Sequence, residues 1–175
     1  DKIHFVFGSN WTDPFSNPQG RSQFNQPLDK WDVSSVTDMS FMFQYHRHFN
    51  QPIGIWDVSS VATMESMFES SVMFNQNIFL WLFRGNLDLR NTKKMFNLAQ
   101  NFHNGQPKSS TPKSIASTDG EWGAKNLTDV SSMFFGAVSF NQDISNWDVS
   151  SVLYFDDSPN SNAKIANING QATAS

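Results

Sequence analysis

Cysteine is absent from the 175 residues, which excludes disulfides and thiolate metal sites. Charge is scarce as well. Asp, Glu, Lys and Arg make up 16% of the chain, with a formal net charge of −4. That balance is too mild to attract a polyanion, and no basic stripe is present for nucleic acid. No apolar run approaches the length of a transmembrane helix. There is no initiator Met and no signal-peptide pattern at Asp1. The chain therefore reads as a mature or truncated product, with any targeting segment out of view. No G-x-x-x-x-G-K or G-x-G-x-x-G phosphate cradle and no G-x-S-x-G nucleophile elbow occur. Histidine is sparse: His4, His46, His48 and His103, without an H-E-x-x-H pair. No catalytic residue and no cofactor is expected, and an enzyme is not the reading.

Aromatic residues are plentiful: Phe numbers 17 and Trp 6. They fall in a repeat. "FNQPLDKWDVSSV" (24–36) returns as "FNQPIGIWDVSSV" (49–61) and "FNQDISNWDVSSV" (140–152). Trp31, Trp56, Trp81, Trp122 and Trp147 are separated by 25, 25, 41 and 25 residues. Met42-Phe43, Met67-Phe68, Met95-Phe96 and Met133-Phe134 are separated by 25, 28 and 38. Two interruptions account for the departures from 25. A short one follows Trp81, in "LFRGNLDLR", and a longer insertion occupies 103–121.

In register, the unit reads F-N-Q-x-I-x-x-W-D-V-S-S-V-x-x-M-x-x-M-F. Its apolar positions form columns: Phe24, Phe49, Phe74 and Phe140; Leu28, Ile53, Ile78 and Ile144; Val36, Val61, Leu89, Leu127 and Val152. Val36, Met39, Met42 and Phe43 follow the spacing of a helical stripe, and Ser35 with Asp38 matches a capping-box-like start. Asn126 and Asp129 repeat that pair. The F-N-Q-x-I part reads as a strand or extended turn. Each unit is thus expected to be strand, turn, a short helix and a return. A unit this small cannot bury its own Phe and Met-Met-Phe stripe, so the units are expected to stack.

"FNQDISNWDVSSV" with a following "SSMFFGAVSFNQ" resembles the BspA-like surface-protein repeat, the mycoplasma-type lipoprotein repeat of about 25 residues. The resemblance covers about Phe24 to Asp157. It implies an α/β repeat solenoid, a leucine-rich-repeat-like right-handed coil of about five strand–turn–helix units. It also implies a secreted or cell-surface location and a role in adhesion. The third and fourth units depart from the motif, with "WLFRGNLDLRN" and "WGAKNL".

The expected organisation is an N-terminal cap (1–23), the repeats (24–157) and a polar C-terminal cap or linker (158–175). The repeat core is expected at Phe24, Trp31, Met42, Phe43, Phe49, Trp56, Met67, Phe68, Phe74, Trp81, Met95, Phe96, Trp122, Met133, Phe134, Phe140 and Trp147. The recurring Asn-Gln pairs suit an amide ladder that satisfies turn backbone, or a polar ligand face. Asp32 and Asp57 are weak Ca²⁺ candidates, set against the simpler role of holding a turn. The insertion, with Lys108 and Lys113, is the candidate binding loop. Asn10 and Asn126 head sequons and are candidate glycan sites. The functional expectation is a non-catalytic extracellular binding or adhesion module, with protein, glycan or copies of itself as partner. The alternative is a structural subunit of a surface fibre or sheath.

Overall fold

The computed structural model describes residues 23–78, 81, 88–105, 126–140 and 149–155. Its logic is visible in layer 1, which begins at Phe24. The N–H groups of Trp31, Val36, Met42, His46 and Phe49 each donate to the carbonyl three residues earlier, on Leu28, Val33, Met39, Phe43 and His46. The chain therefore advances as a string of turns. Most residues that open and close these turns are large and apolar, and they point inward. Leu28, Val33, Val36, Met39, Met42, Phe43 and Phe49 are all buried.

Backbone handedness alternates through the Met-Met-Phe segment. Phe41 and Tyr45 take φ of 62° and 64°, and Ser66 and Ser70 occupy the same places in layer 2 at 52° and 60°. Lys94 and Leu98 follow in layer 3, and Ser132 and Gly136 in layer 4, all with positive φ. A left-handed residue turns the next peptide away from a helical path. The N–H groups then divide between two tasks. Met42, Gln44 and His46 close turns within their own layer. Met39, Phe41, Phe43 and Tyr45 donate across to the carbonyls of Thr63, Glu65, Met67 and Glu69. Met64, Ser66, Phe68 and Ser70 donate in the same sense to Asn91, Lys93, Met95 and Asn97, and layer 3 repeats this onto Asp129, Ser131, Met133 and Phe135. The backbone is thereby satisfied without an α-helix.

The expected right-handed α/β solenoid of strand–turn–helix units is therefore corrected. Among the described residues there is no α-helix and no extended strand. Parallel pairing is reduced to single bridges linking Asp38, Thr63, Asn91, Asp129 and Tyr154 in succession. The stripe read as a helix is a run of turns, because an apolar residue every third position suits both. Ser35 and Asp38 therefore cap no helix. The Asp38 carboxylate accepts the Ser40 N–H at 2.9 Å, and Asp129 accepts that of Ser131 at 2.9 Å. Asn91 and Thr63 do the same for Lys93 and Glu65. These are side-chain-closed turns, one per layer.

Aromatic rings fill the interior. Phe24, Phe49, Phe74, Phe102 and Phe140 stack in one column with centroids 6.0, 6.0, 6.0 and 5.9 Å apart. Phe43, Phe68, Phe96 and Phe134 form a second at 5.5, 5.7 and 5.6 Å. The columns interlock. Phe43 lies 3.9 Å from Phe49, and Phe68 lies 3.8 Å from Phe74. Trp56 and Trp81 stack at 6.0 Å with planes 5° apart, while half-buried Trp31 packs against the same core. Such near-parallel, offset rings are a favourable geometry. Met39, Met42, Met64, Met67, Met95 and Met133 fill the remaining space, each 1% exposed or less, where a flexible thioether suits the gaps beside rings.

Phe102 opens layer 4, so His103, Asn104 and Gly105 lie within the layer rather than in the insertion. The His103 and Gly105 N–H groups both donate to Asn75 Oδ1. Layers also approach closely at Gly54, where an added Cβ would collide with the Asn77 carbonyl oxygen. The expected N-terminal cap up to residue 22, the rest of the insertion and the C-terminal segment lie outside the described residues, as do Trp122 and Trp147.

Candidate functional site

The Asn-Gln pairs build an edge ladder. Asn25 Oδ1 accepts the Asn50 N–H at 2.9 Å, and Gln51 Nε2 donates back to the Asn25 side-chain and main-chain oxygens at 2.9 and 3.0 Å. Asn50, Asn75 and Gln76 repeat the arrangement one layer on. In layer 4 the motif changes to Phe102-His103-Asn104. His103 Nε2 meets Asn75 Nδ2 at 2.9 Å, and Asn104 Oδ1 accepts the Ile78 N–H at 3.0 Å. The amides of these pairs are thus engaged in linking layers. Asn141 and Gln142 lie outside the described residues.

Asp32 and Asp57 each hold a turn. Asp32 Oδ1 accepts the Ser34 hydroxyl at 2.7 Å and its N–H at 3.1 Å, and Asp57 Oδ1 accepts the Ser59 N–H at 3.0 Å. Hydrogen bonds from the serine hydroxyl, then from its backbone, hold both carboxyls below the ordinary Asp range. Among the described residues, no group of three or more His, Asp or Glu side chains is gathered in a way that could hold a metal ion. His46 is buried, its Nδ1 is 3.0 Å from the Gln44 carbonyl, and its ring packs edge-on against Phe24 and Phe43. Asn126 is half-buried at the edge of layer 4, and the hydroxyl of its sequon partner Thr128 donates to the Arg90 carbonyl at 3.1 Å. Asn10, Lys108 and Lys113 lie outside the described residues.

Sequence reasoning missed the outer surface of the alternating-handed strip. Its inner positions repeat the same residue types, whereas its outer positions change from layer to layer. Layer 1 presents Phe41, Gln44 and Tyr45; layer 2 presents Glu65, Glu69 and Ser70; layer 3 presents Lys93, Lys94 and Leu98. These side chains meet across layers. Gln44 Nε2 donates to Glu69 Oε2 at 2.7 Å. Lys94 Nζ lies 4.0 Å from Glu69 Oε1, and Lys93 Nζ 3.9 Å from Glu65 Oε1. Asn91 Nδ2 donates to Glu65 Oε2 at 3.2 Å. Half-buried Tyr45 stands beside Glu69, and its phenol pKa is raised by desolvation and then by the nearby carboxylate. The available signal was the register itself: Phe41 and Tyr45 sit at repeat positions where the next layer has serine.

No curated protein and no solved structure shows significant similarity to the chain. The profile of one family, described as Mycoplasma protein of unknown function, DUF285, matches residues 15–110 and 105–170. These two matches span the repeats and extend beyond them at both ends. With most of the sequence covered, the chain belongs to this Mycoplasma repeat family of unknown function.

Proposed function

We propose that the chain is a non-catalytic binding module of a secreted or cell-surface protein, serving adhesion to an extracellular partner. The observation that carries this reading is the contrast between constant inner columns and changing outer ones. Phe, Met and Trp recur inside, while outer register positions change: Gln44 is followed by Glu69, Glu65 by Lys93, and Tyr45 by Ser70, Leu98 and Gly136. A scaffold of this kind holds a row of unlike side chains in fixed register, which is what recognition by a surface requires. Family membership and the resemblance to surface repeats support the location. Two measurements test the proposal. Antibody labelling of intact and permeabilised source cells reports location. Binding of the purified chain to matrix proteins and glycans reports adhesion. Labelling only after permeabilisation would overturn the location, and absence of binding to any surface would overturn the role.

A second reading has one observation in its favour. The last described layer exposes Leu153, Tyr154 and Phe155 by 73%, 60% and 44%. Exposed apolar side chains of this kind suit association with further copies, and a head-to-tail contact that does not close yields fibres. Sedimentation of the purified chain distinguishes the two, since a fibre subunit gives concentration-dependent polymers and a binding module does not.

A further inference from the structure

Methionine is divided unevenly between interior and surface. Of the seven methionines, Met39, Met42, Met64, Met67, Met95 and Met133 are each 1% exposed or less, while Met73 is 46% exposed. The six pack among the ring columns. Met73 stands at a position the core does not use. It precedes Phe74, as His48, Asn101 and Ser139 precede Phe49, Phe102 and Phe140. Those three side chains are polar. Main-chain bonds hold the segment whatever the side chain: the N–H groups of Met73, Asn101 and Ser139 donate to the carbonyls of Arg47, Val72 and Gln100, each at 3.1 Å. The Met73 sulfur is itself hydrogen-bonded. Asn101 Nδ2 donates to Met73 Sδ at 3.4 Å, between two exposed side chains. The comparable bond from the Thr92 hydroxyl to Met133 Sδ, at 3.5 Å, is shut inside the core.

We propose that Met73 is a site of selective oxidation to the sulfoxide by peroxides, and that Asn101 sets which of the two sulfoxide epimers forms. A thioether sulfur carries two lone pairs. The Asn101 amide engages one, and the other is left for the oxidant. That free pair attacks one peroxide oxygen, so the S–O bond forms as the O–O bond breaks. Sulfur loses two electrons and the peroxide gains them. The departing oxygen takes the proton of the transferred one and leaves as water. Attack from one side gives one epimer in excess, and each epimer has its own reductase. The oxidised side chain is polar, which suits a position that holds polar residues in the other layers. The same change at Met39 or Met67 would place a polar sulfoxide among apolar neighbours at a cost in stability, and burial keeps oxidant from those sulfurs. The fold thus sorts seven chemically equal thioethers into one reactive and six protected.

The test treats the full, folded chain with limiting hydrogen peroxide and follows each methionine by peptide mass mapping. Met73 is expected to react at least about tenfold faster than any of the other six. In urea, with the chain unfolded, all seven should react at similar rates. The chain oxidised at Met73 alone should melt within about two degrees of the untreated one, as expected for a change confined to the surface. Met73→Leu keeps the fold and loses the fast phase. The epimer ratio is read after digestion with the two epimer-specific methionine sulfoxide reductases, each of which restores one form. Wild type should give unequal shares, and Asn101→Ala should move them toward equality while Met73 still reacts first. Equal rates at Met73 and any buried methionine of the folded chain overturn the site. A preference for Met73 that persists in urea does the same, because the fold is then not its cause. Equal epimers in wild type, or an unchanged excess in Asn101→Ala, overturn the part given to Asn101. Unfolding on oxidation of Met73 alone overturns the tolerance of that position for a polar side chain.

Discussion

Ser70 offers a substitution whose sign separates a string of alternating-handed turns from a helix. It sits at φ 60°, is half-buried, and uses its N–H to reach the Asn97 carbonyl at 2.7 Å. In a helix interior, glycine is worse than alanine by about 1 kcal/mol. At a left-handed position the order reverses. An L-residue there costs roughly 1–2 kcal/mol. The extra freedom of glycine in the unfolded chain takes back roughly 0.4–1 kcal/mol. Ser70→Gly is therefore expected to be more stable than Ser70→Ala by roughly 0.5–1 kcal/mol. The side chain removed is small, so lost packing does not obscure the comparison. Urea denaturation of both variants gives the difference directly, and thermal melts should separate them by about 2–4 °C per kcal/mol for a chain of this size. Alanine equal to or better than glycine at this position would refute the alternating-handed strip.

Three further outcomes are expected. Met67→Asp places an unpaired carboxylate at a site with 0% exposure, costing several kcal/mol out of a total of about 5–15; a melting temperature within a degree or two of wild type would contradict the core assignment. Asn50→Ala removes the acceptor for the Asn75 N–H and for Gln76 Nε2 and should destabilise by about 1–3 kcal/mol, whereas a loss below a few tenths would mean the amide ladder adds nothing. The Asp57 carboxyl, followed by NMR, should titrate below 3.8 and move toward that value in Ser59→Ala, because the Ser59 hydroxyl is the main cause of its shift. Its folded pKa is depressed, so its contribution to stability is present above the unfolded value and fades as pH falls through the folded one; an unchanged midpoint in the variant would exclude the serine as cause.

The register of the repeat was readable from the sequence, because Phe, Trp and Met-Phe recur at fixed spacing and rings do stack on rings in the interior. The local conformation was not. Val36, Met39, Met42 and Phe43 read as a helical stripe, yet turns closed from residue i to i+3 bury every third residue equally well. The better signal was D-x-S. It recurs at Asp32-Val33-Ser34, Asp57-Val58-Ser59, Asp38-Met39-Ser40 and Asp129-Val130-Ser131, and in each case the carboxylate accepts the N–H two residues on. Competition of this kind for local N–H groups favours turns over helix. Phe102 was missed because Phe102-His103-Asn104 disguises the F-N-Q motif.

The division between inner and outer positions follows from how the layers are joined. Backbone N–H groups, the Asn-Gln ladder and the ring columns make the inter-layer contacts, and the outer strip positions contribute mainly exposed or half-exposed pairs. Ion pairs such as Lys93–Glu65, at 3.9 Å with side chains 43% and 30% exposed, add at most a fraction of the stability. Replacing a buried Phe, by contrast, leaves a cavity flanked by rings on both sides and costs about 3–5 kcal/mol. Stability is thus concentrated inside, and the outer columns can change composition at little cost.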